Sequence, residues 1–197
     1  MKQHSMHALI VVAHPDPGSL THTLAAELAK GISDAGSPHT AELADLAAEG
    51  FDPRFNAADL ALVRDQGAMP GEVADEQARI DRADALVLVY PVYWWSFPAL
   101  LKGWIDRVFT KHWAYDDAER GLLRGLPVHL VGIGAVSRRS YDKRGYSVAM
   151  TTQIEHGIFG YCNARVASSS LLSTADEGFP QAHFDAVHRI GRDLFGR

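Results

Sequence analysis

The chain has 197 residues, of which 47% are hydrophobic and 22% are charged, and its formal net charge is −5 at pH 7. No apolar run approaches the roughly 20 residues that span a membrane, and no lysine or arginine stripe marks a nucleic-acid or membrane surface. Cys162 is the only cysteine, so no intrachain disulfide can form, which favours a reducing cytoplasm.

Apolar runs and helical periodicities alternate along the chain. The N-terminal residues lead directly into an apolar run, so we expect no signal peptide. Strands are predicted at residues 7–12, 40–46, 85–90, 127–133 and 165–172. Helices are predicted at residues 20–35, 57–64, 73–83, 98–109, 148–159 and 179–195. No repeat or linker interrupts this alternation, so we expect one domain over residues 1–197.

Five apolar strands that alternate with helices are typical of a parallel sheet covered by helices on both faces. We therefore predict an α/β protein of three layers, α/β/α, with a five-stranded parallel sheet in the flavodoxin-like order 2-1-3-4-5. Such sheets bind ligands beyond the carboxyl ends of their strands, at the switch point between strands 1 and 3. Functional residues should therefore follow Val12, Tyr90 and Ile133, where the first, third and fourth predicted strands end.

The loop after the first strand, residues 13–21, places a histidine and two hydroxyl residues before a helix. Ser19 and Thr21 are predicted caps, and the free N–H groups and dipole of a helix N-terminus attract anions. His14 adds a donor that can carry charge, so the loop suits a phosphate or pyrophosphate. The alternative for His14 is a histidine that bonds the backbone and shapes the turn. The loop matches neither a Walker motif nor a G-x-G-x-x-G fingerprint.

Three adjacent aromatic residues, Tyr93, Trp94 and Trp95, follow the third strand. Loops are normally polar and exposed, so three rings at the carboxyl end of a parallel strand suggest a flat hydrophobic ligand. The alternative is that the rings fill the core or an interface. Ser96 and Pro98 begin the next helix, where proline is tolerated in the first turn.

The loop after the fourth strand contains Gly132 and Gly134, whose lack of side chains lets the backbone approach a planar ligand closely. Tyr141, further along this loop, could donate a hydrogen bond to a ring that becomes negative on reduction. The alternative is a surface tyrosine in a flexible loop.

Four segments together resemble one protein family: residues 9–19 (LIVVAHPDPGS), 51–54, 76–84 and 91–109. In these segments the chain is similar to the flavoprotein family of NAD(P)H:quinone oxidoreductases, whose members share the flavodoxin-like fold. The resemblance implies a bound flavin, with NAD(P)H as co-substrate. FAD is the expected flavin because the histidine loop suits a pyrophosphate, and FMN is the alternative.

The resemblance also implies site residues, position by position. The phosphate and ribityl part of the flavin would be lined by His14, Ser19, Leu20 and Thr21. The flavin ring would be held by Pro91, Val92, Tyr93, Trp94 and Trp95, and more loosely by Ile133, Gly134, Ala135 and Val136. Tyr141 would be catalytic, because it corresponds to a tyrosine that stabilises the reduced ring. No metal ligand is implied.

The chain departs from the family beside that tyrosine. Better-known members pair it with a histidine six residues on, where this chain has Ser147. Tyr146 and His156 are the alternative replacements. The insertion before Glu76 that carries an adenine contact in larger relatives is also shortened, which leaves FAD or FMN open.

The implied reaction passes two electrons, as a hydride, from NAD(P)H through the flavin to a quinone or similar acceptor. Ping-pong kinetics are expected because both substrates use one pocket. Arg138 and Arg139 could attract the NADPH phosphate or form a solvated charge run. Family members complete the pocket with a second subunit, so we expect a homodimer with the site at the interface. The rings of Trp104, Phe109 and Trp113 could supply the contact, or could be core.

Two other flavin-binding functions remain as alternatives, a flavodoxin-like electron carrier and a regulatory partner of an ion-efflux system. Electron carriers are usually strongly acidic, and the net charge of −5 argues against that role. The sequence contains no Gly-x-Ser-x-Gly elbow and no His-Glu-x-x-His or paired-cysteine motif, which argues against a hydrolase and a metalloenzyme.

Overall fold

The computed structural model describes residues 5–36, 38–116, 121–123 and 125–196. Residues 1–4, part of the segment on which the expectation of no signal peptide rests, lie outside the described residues. One sheet of five parallel strands has the order β2-β1-β3-β4-β5. The strands are β1 (His7–Val12), β2 (Thr40–Asp45), β3 (Ala85–Pro91), β4 (Pro127–Gly134) and β5 (Arg165–Ser173). The predicted fold class and strand order are confirmed.

The strand register brings the carboxyl ends of three neighbouring strands level. Val12 at the end of β1 lies beside Val89 on β3, and Val89 lies beside Val131 on β4. The loops that follow β1, β3 and β4 therefore leave the sheet at one edge, as predicted for the switch point. These strands are apolar at most positions because helices cover both of their faces.

Helices form the two outer layers. They are α1 (Leu20–Asp34), α2 (Ala57–Val63), α3 (Gly71–Asp81), α4 (Ala99–Val108), α5 (Arg138–Lys143), α6 (Tyr146–Met150), a π-helix (Thr151–Gly160) and α7 (Gln181–Asp193). Val87 shares one core with α1 and α7, and Leu88, which points the opposite way, shares the other with α4 and the π-helix. Among the described residues, no helix combines the length and apolar content that a membrane crossing requires.

Helices α1 and α7 approach each other through two glycines. A Cβ atom on Gly31 would overlap the carbonyl oxygen of His188 on α7, and one on Gly191 would overlap that of Leu28 on α1. Neither position can carry a side chain unless the helices move apart. The first helix of the chain is thus packed backbone to backbone against the last.

The segment predicted as an α-helix at residues 148–159 is mostly a π-helix. An α-helical turn starts at Tyr146, and the π-helix follows from Thr151 to Gly160. Its hydrogen bonds reach five residues back, as from the Tyr161 N–H to the His156 carbonyl at 3.0 Å. Ile154 and Phe159, which are both buried, lie five residues apart. A search for the 3.6-residue period recognises the helical segment here but cannot identify the wider turn.

Two of the three rings suggested as a dimer contact belong to the core. Trp104 is fully buried and Phe109 is 8% exposed. The Trp104 indole N–H donates to the Glu76 carboxylate at 2.7 Å, so its polar group is satisfied inside the protein. The proposed interface role of these two rings is wrong. The helical period places the side chains of Trp104 on α4 and of Phe109 at its end on the face that packs against the sheet. Trp113 is half-buried, and its N–H donates to Asp81 at 3.2 Å.

Candidate functional site

The three predicted loops meet at the carboxyl edge of the sheet. The Ala13 N–H donates to the Val89 carbonyl at 3.3 Å, and the Val92 N–H donates to the Ile133 carbonyl at 2.8 Å. These backbone bonds continue the β1–β3 and β3–β4 pairings into the loops. The residues after β1, β3 and β4 are therefore held side by side.

The first loop caps helix α1 with Ser19, whose side chain accepts the His22 N–H at 3.4 Å. Thr21, the other predicted cap, instead lies inside the helix and is 2% exposed. Helix geometry leaves the N–H groups of the first turn, those of Leu20 and Thr21, without intrahelical partners. The loop therefore offers an anion two backbone donors, and Thr21 contributes its backbone rather than its buried side chain.

His14 shapes its turn and still keeps a free donor. The Asp16 N–H donates to His14 Nδ1 at 3.1 Å, so the backbone-bonding alternative holds for this ring nitrogen. Nδ1 also lies 3.2 Å from the Asp16 carbonyl oxygen, so it contacts the turn in either tautomer, and the bond from the Asp16 N–H goes with a proton on Nε2. His14 is only partly buried, and its Nε2–H is available to a phosphate oxygen. The turn-shaping interpretation of His14 is confirmed, and its contact with a phosphate stays a prediction.

Two polar residues that the sequence analysis missed support Ser19. His22 Nε2 lies 2.8 Å from Asp45 Oδ2, and His22 Nδ1 lies 2.9 Å from Ser19 Oγ. Burial acts to raise the pKa of Asp45, but hydrogen bonds from the Ala48 backbone and from His22 lower it overall. Asp45 is therefore a carboxylate that accepts the Nε2–H of His22, and in the neutral ring this leaves Nδ1 to accept the Ser19 hydroxyl.

The aromatic loop is a two-residue hairpin turn. Tyr93 and Ser96 exchange two backbone hydrogen bonds, of 3.2 and 3.1 Å, in an antiparallel bridge. Trp94 and Trp95 occupy the turn with φ angles of +50° and +56°, the left-handed region that such turns require and usually fill with Asn or Gly. Trp94 is 88% exposed. Two tryptophans thus adopt a backbone conformation that disfavours them; the Trp94 ring is accessible at the surface, and Trp95 is half-buried.

Replacing Trp94 by Asn should stabilise the protein, because asparagine tolerates the left-handed conformation that costs most residues about 1–2 kcal/mol. We expect the free energy of unfolding in urea, without added ligand, to rise by about 0.5–1 kcal/mol. Trp94→Ala is the matched control, since alanine removes the ring but keeps the Cβ atom that disfavours this conformation. If Trp94→Ala stabilises the protein equally, the gain in stability comes from removal of the exposed ring and not from relief of the backbone conformation.

Trp95 connects the aromatic loop to the segment after β4. Its ring stacks on Tyr146 with centroids 3.8 Å apart and planes inclined by 32°. Tyr146 in turn lies edge-on to Tyr141, with centroids 6.3 Å apart. Of the three candidates for the missing family histidine, Tyr146 is thus in ring contact with Tyr141. Ser147 donates to Asp142 at 2.5 Å, and His156 is exposed on the π-helix.

Tyr141 is 3% exposed and lies on helix α5, where the sequence analysis predicted a loop. The surface-tyrosine alternative is therefore wrong. A Cβ atom on Gly134 would stand 2.8 Å from the Tyr141 hydroxyl, so the glycine makes room for it. Burial raises the pKa of Tyr141, which keeps the hydroxyl a neutral hydrogen-bond donor. Of the other residues assigned to this loop, Ile133 is half-buried and Ala135 and Val136 are exposed.

Among the described residues, neither Cys162 nor the possible metal ligands form a second catalytic arrangement. Cys162 is buried, and burial raises the pKa of its thiol to about 11, so it is a poor nucleophile. Within residues 5–36, 38–116, 121–123 and 125–196, no three His, Cys, Asp or Glu side chains are grouped as metal ligands. Arg138 and Arg139 are exposed on α5, and Arg138 lies 3.5 Å from Asp142.

Comparisons with known proteins agree with the fold. Residues 6–190 match a family described as having a flavodoxin-like fold. The chain is 29% identical to ribosyldihydronicotinamide dehydrogenase (quinone) of Pongo abelii, over 83% of this chain and 79% of that protein. It superposes on the NAD(P)H:quinone oxidoreductase from Methanothermobacter marburgensis with a TM-score of 0.87 and 28% identity, covering 97% of this chain and 98% of that one. General stress protein 14 of Treponema denticola, solved in complex with FMN, shares the fold at 24% identity and a TM-score of 0.62, with 95% and 94% coverage.

Proposed function

The chain belongs to the flavodoxin-like family of NAD(P)H:quinone oxidoreductases, and we propose that it passes two electrons, as a hydride, from NAD(P)H through a bound flavin to a quinone or similar acceptor. The observation that carries the proposal is the meeting of three loops at one sheet edge, with an anion-binding helix end, an exposed aromatic turn and a buried tyrosine. Each loop offers what one part of a flavin needs.

The residues present fit a flavin. The Leu20 and Thr21 N–H groups and the His14 Nε2–H are donors suited to its phosphate. Ser19 directs its own proton to His22, so it orients the helix end and does not add a donor. The rings of Trp94 and Trp95, together with the backbone of Val92, suit the flat isoalloxazine. Gly134 lets a planar ring approach β4 closely.

A bound flavin supplies the hydride chemistry, and the protein residues orient the reactants and adjust charge. The neutral Tyr141 hydroxyl would donate a hydrogen bond to negative charge that develops on the flavin ring. Tyr93 and Trp94, 49% and 88% exposed, provide aromatic surface on which a nicotinamide or a quinone can stack. One such surface serving both substrates in turn supports a ping-pong order.

A homodimer with the site at its interface is part of the proposal. Apolar side chains are exposed around the three loops, namely Tyr93 at 49%, Trp94 at 88%, Val136 at 47% and Val148 at 69%. A patch of this kind is typical of a surface that a partner covers. These residues replace Trp104 and Phe109 as the proposed contact. The cytoplasmic location rests, as before, on the single cysteine.

The test of the function is the absorbance spectrum of the purified protein, before and after addition of NAD(P)H, with mass identification of the released flavin. We expect an oxidised-flavin spectrum that bleaches with NAD(P)H and recovers with a quinone. A released FAD would support a pyrophosphate at His14, whereas FMN would limit the loop to one phosphate. Flavin that NAD(P)H does not reduce would favour the electron carrier or the regulatory partner.

Tyr141→Phe should slow flavin reduction by NAD(P)H about fivefold, the effect of losing one neutral hydrogen bond of roughly 1 kcal/mol. The ring and its packing remain, so flavin content should stay close to that of the wild type. Stopped-flow absorbance measures the rate constant directly. Tyr161→Phe, on a 44% exposed ring of the turn after the π-helix, is the control. Equal rates for the wild type and Tyr141→Phe would remove Tyr141 from the catalytic role.

A further inference from the structure

Three side chains form a hydrogen-bonded relay, Ser19–His22–Asp45, from the N-terminal end of α1 to the end of β2. Ser19 Oγ lies 2.9 Å from His22 Nδ1, and His22 Nε2 lies 2.8 Å from Asp45 Oδ2. The other carboxylate oxygen, Asp45 Oδ1, accepts the N–H groups of Ala47 and Ala48, both at 3.1 Å. The His22 and Asp45 side chains are 17% and 25% exposed. Asp45 is therefore a fixed acceptor that holds the His22 ring against Ser19.

While His22 is neutral, the relay directs the Ser19 proton away from the proposed phosphate site. Nε2 carries the ring proton, and Nδ1 accepts the Ser19 hydroxyl. Ser19 then presents only oxygen lone pairs to the helix end, beside the free backbone N–H groups of the first turn. A lone pair repels a phosphate oxygen. The hydroxyl can donate to an anion only if Nδ1 obtains a proton from another source.

Protonation of His22 reverses the direction of the relay. An imidazolium carries a proton on each nitrogen, so Nδ1–H donates to Ser19 Oγ and the Ser19 hydroxyl is free to donate to a phosphate oxygen. The Asp45 carboxylate, 2.8 Å from Nε2, balances the new positive charge. Histidine is also the residue type whose charge changes near neutral pH. The relay can therefore add both a charge and a donor to the helix end.

His14 is the other titratable group whose contact with the His22 ring is recorded among the described residues. The two rings are edge-on, with centroids 6.3 Å apart. His14 Nδ1 contacts the Asp16 backbone in either tautomer, and within the part of the chain that the structure describes His14 forms no ion pair with a carboxylate. Of the two histidines at this helix end, His22 is thus the one with a counter-charge beside it.

We propose that His22 is a positioning residue that couples flavin binding to the uptake of a proton from solvent. When the flavin phosphate occupies the N-terminal end of α1, the proton enters at His22 Nδ1. The Ser19 hydroxyl keeps its own proton and turns it from His22 to the phosphate, as a further donor beside the backbone N–H groups. The inference rests on the proposed function, because it requires a flavin phosphate at this helix end.

The experiment is isothermal titration calorimetry of the full-length protein freed of its flavin, with whichever of FMN and FAD it binds more tightly. Titration in two buffers of different ionisation enthalpy gives the number of protons taken up. We expect roughly half a proton or more per flavin at pH 7.5, and a Kd that rises about fivefold between pH 7 and pH 8.5. Riboflavin, which lacks the phosphate, should bind without proton uptake.

Two variants locate the proton. His22→Gln keeps a polar side chain that does not titrate, so proton uptake should disappear and the Kd should no longer change over this pH range. Ser19→Ala should reduce the uptake by more than half, because the imidazolium then has no hydroxyl to release. His188→Gln is the matched control, since His188 also lies 2.8 Å from a carboxylate, that of Glu27, but on α7. Its uptake should equal that of the wild type.

The proposal is overturned if His22→Gln takes up as many protons as the wild type, or if Ser19→Ala keeps the full uptake, which would assign the effect to charge alone. Ser19→Ala also removes the cap of α1, so circular dichroism checks its fold, and the result for His22→Gln stands without it. Flavin binding by the wild type without proton uptake would reject the coupling and leave the proposed function intact. Failure of FMN and FAD to bind would reject both.

Discussion

Replacing Arg107 by Leu should lower the free energy of unfolding by about 3–5 kcal/mol, the range for breaking a buried ion pair from one side. Arg107 is 1% exposed, and its guanidinium donates to Asp59 at 2.8 Å, to Glu72 at 2.7 Å and to the Asp52 carbonyl at 2.9 Å. Asp59 is 3% exposed, and its Oδ1 atom has no partner among the described residues. Without Arg107, the buried Asp59 carboxylate would have no cation beside it and would keep only the hydrogen bond from the Asn56 backbone N–H.

Urea unfolding measures this loss, and two variants separate its cause. Arg54→Leu breaks an ion pair with Asp52 that is fully solvated, and we expect no measurable change. Arg107→Leu combined with Asp59→Asn should recover more than half of the stability, because the amide removes the buried charge. An equally unstable double variant would show that lost packing of the long arginine stem explains the result.

Acid should destabilise the protein through His129, by about 2–3 kcal/mol at pH 4.5 relative to neutral pH. His129 is 8% exposed, and burial lowers the pKa of its imidazole from 6.5 to about 4, with a smaller contribution from Arg165. As pH falls from 6.5 toward 4, the unfolded chain binds a proton that the native state does not. The contribution of His129 to the unfolding free energy is therefore fully present above pH 6.5 and is lost progressively as the pH falls below that value.

His129→Asn isolates this effect, because asparagine can keep a bond to Ser168, which lies 2.8 Å from His129 Nδ1, but does not titrate. When the pH falls from neutral to 4.5, the unfolding free energy of the wild type should decrease by about 2–3 kcal/mol more than that of the variant. The control is His156→Asn, at an exposed position on the π-helix. Parallel pH profiles for wild type and His129→Asn would refute the assignment.

The sequence was sufficient for the sheet and for the positions of the three loops, because both follow from local patterns. Apolar runs define strands such as β1 and β3, and parallel strands direct their following loops to one edge. The cap at Ser19 was likewise predicted from its position before an apolar helix. Such inferences need only residues that are close together in the chain.

Interactions between segments that are far apart in the sequence were not predicted. Asp45 reaches His22 from the end of β2, and nothing in either local sequence indicates that pairing. The stack of Trp95 on Tyr146 joins segments 51 positions apart in the numbering. Trp104 was suggested as an interface ring because aromatic residues are common both in protein cores and at interfaces. The residue type alone does not distinguish the two. The structure resolves that choice, since Glu76 takes its N–H inside the protein.

The contact between Gly31 and Gly191 has a consequence for how the protein is made. Helix α1, whose N-terminus carries the proposed phosphate donors, is synthesised before α7, and strands β2 to β5 are synthesised between them. Until α7 is present, the side of α1 at Gly31 and the Leu28 carbonyl lacks the helix that packs against it. Helix α1, with the proposed phosphate donors at its N-terminus, thus gains this packing partner only after α7 has been synthesised.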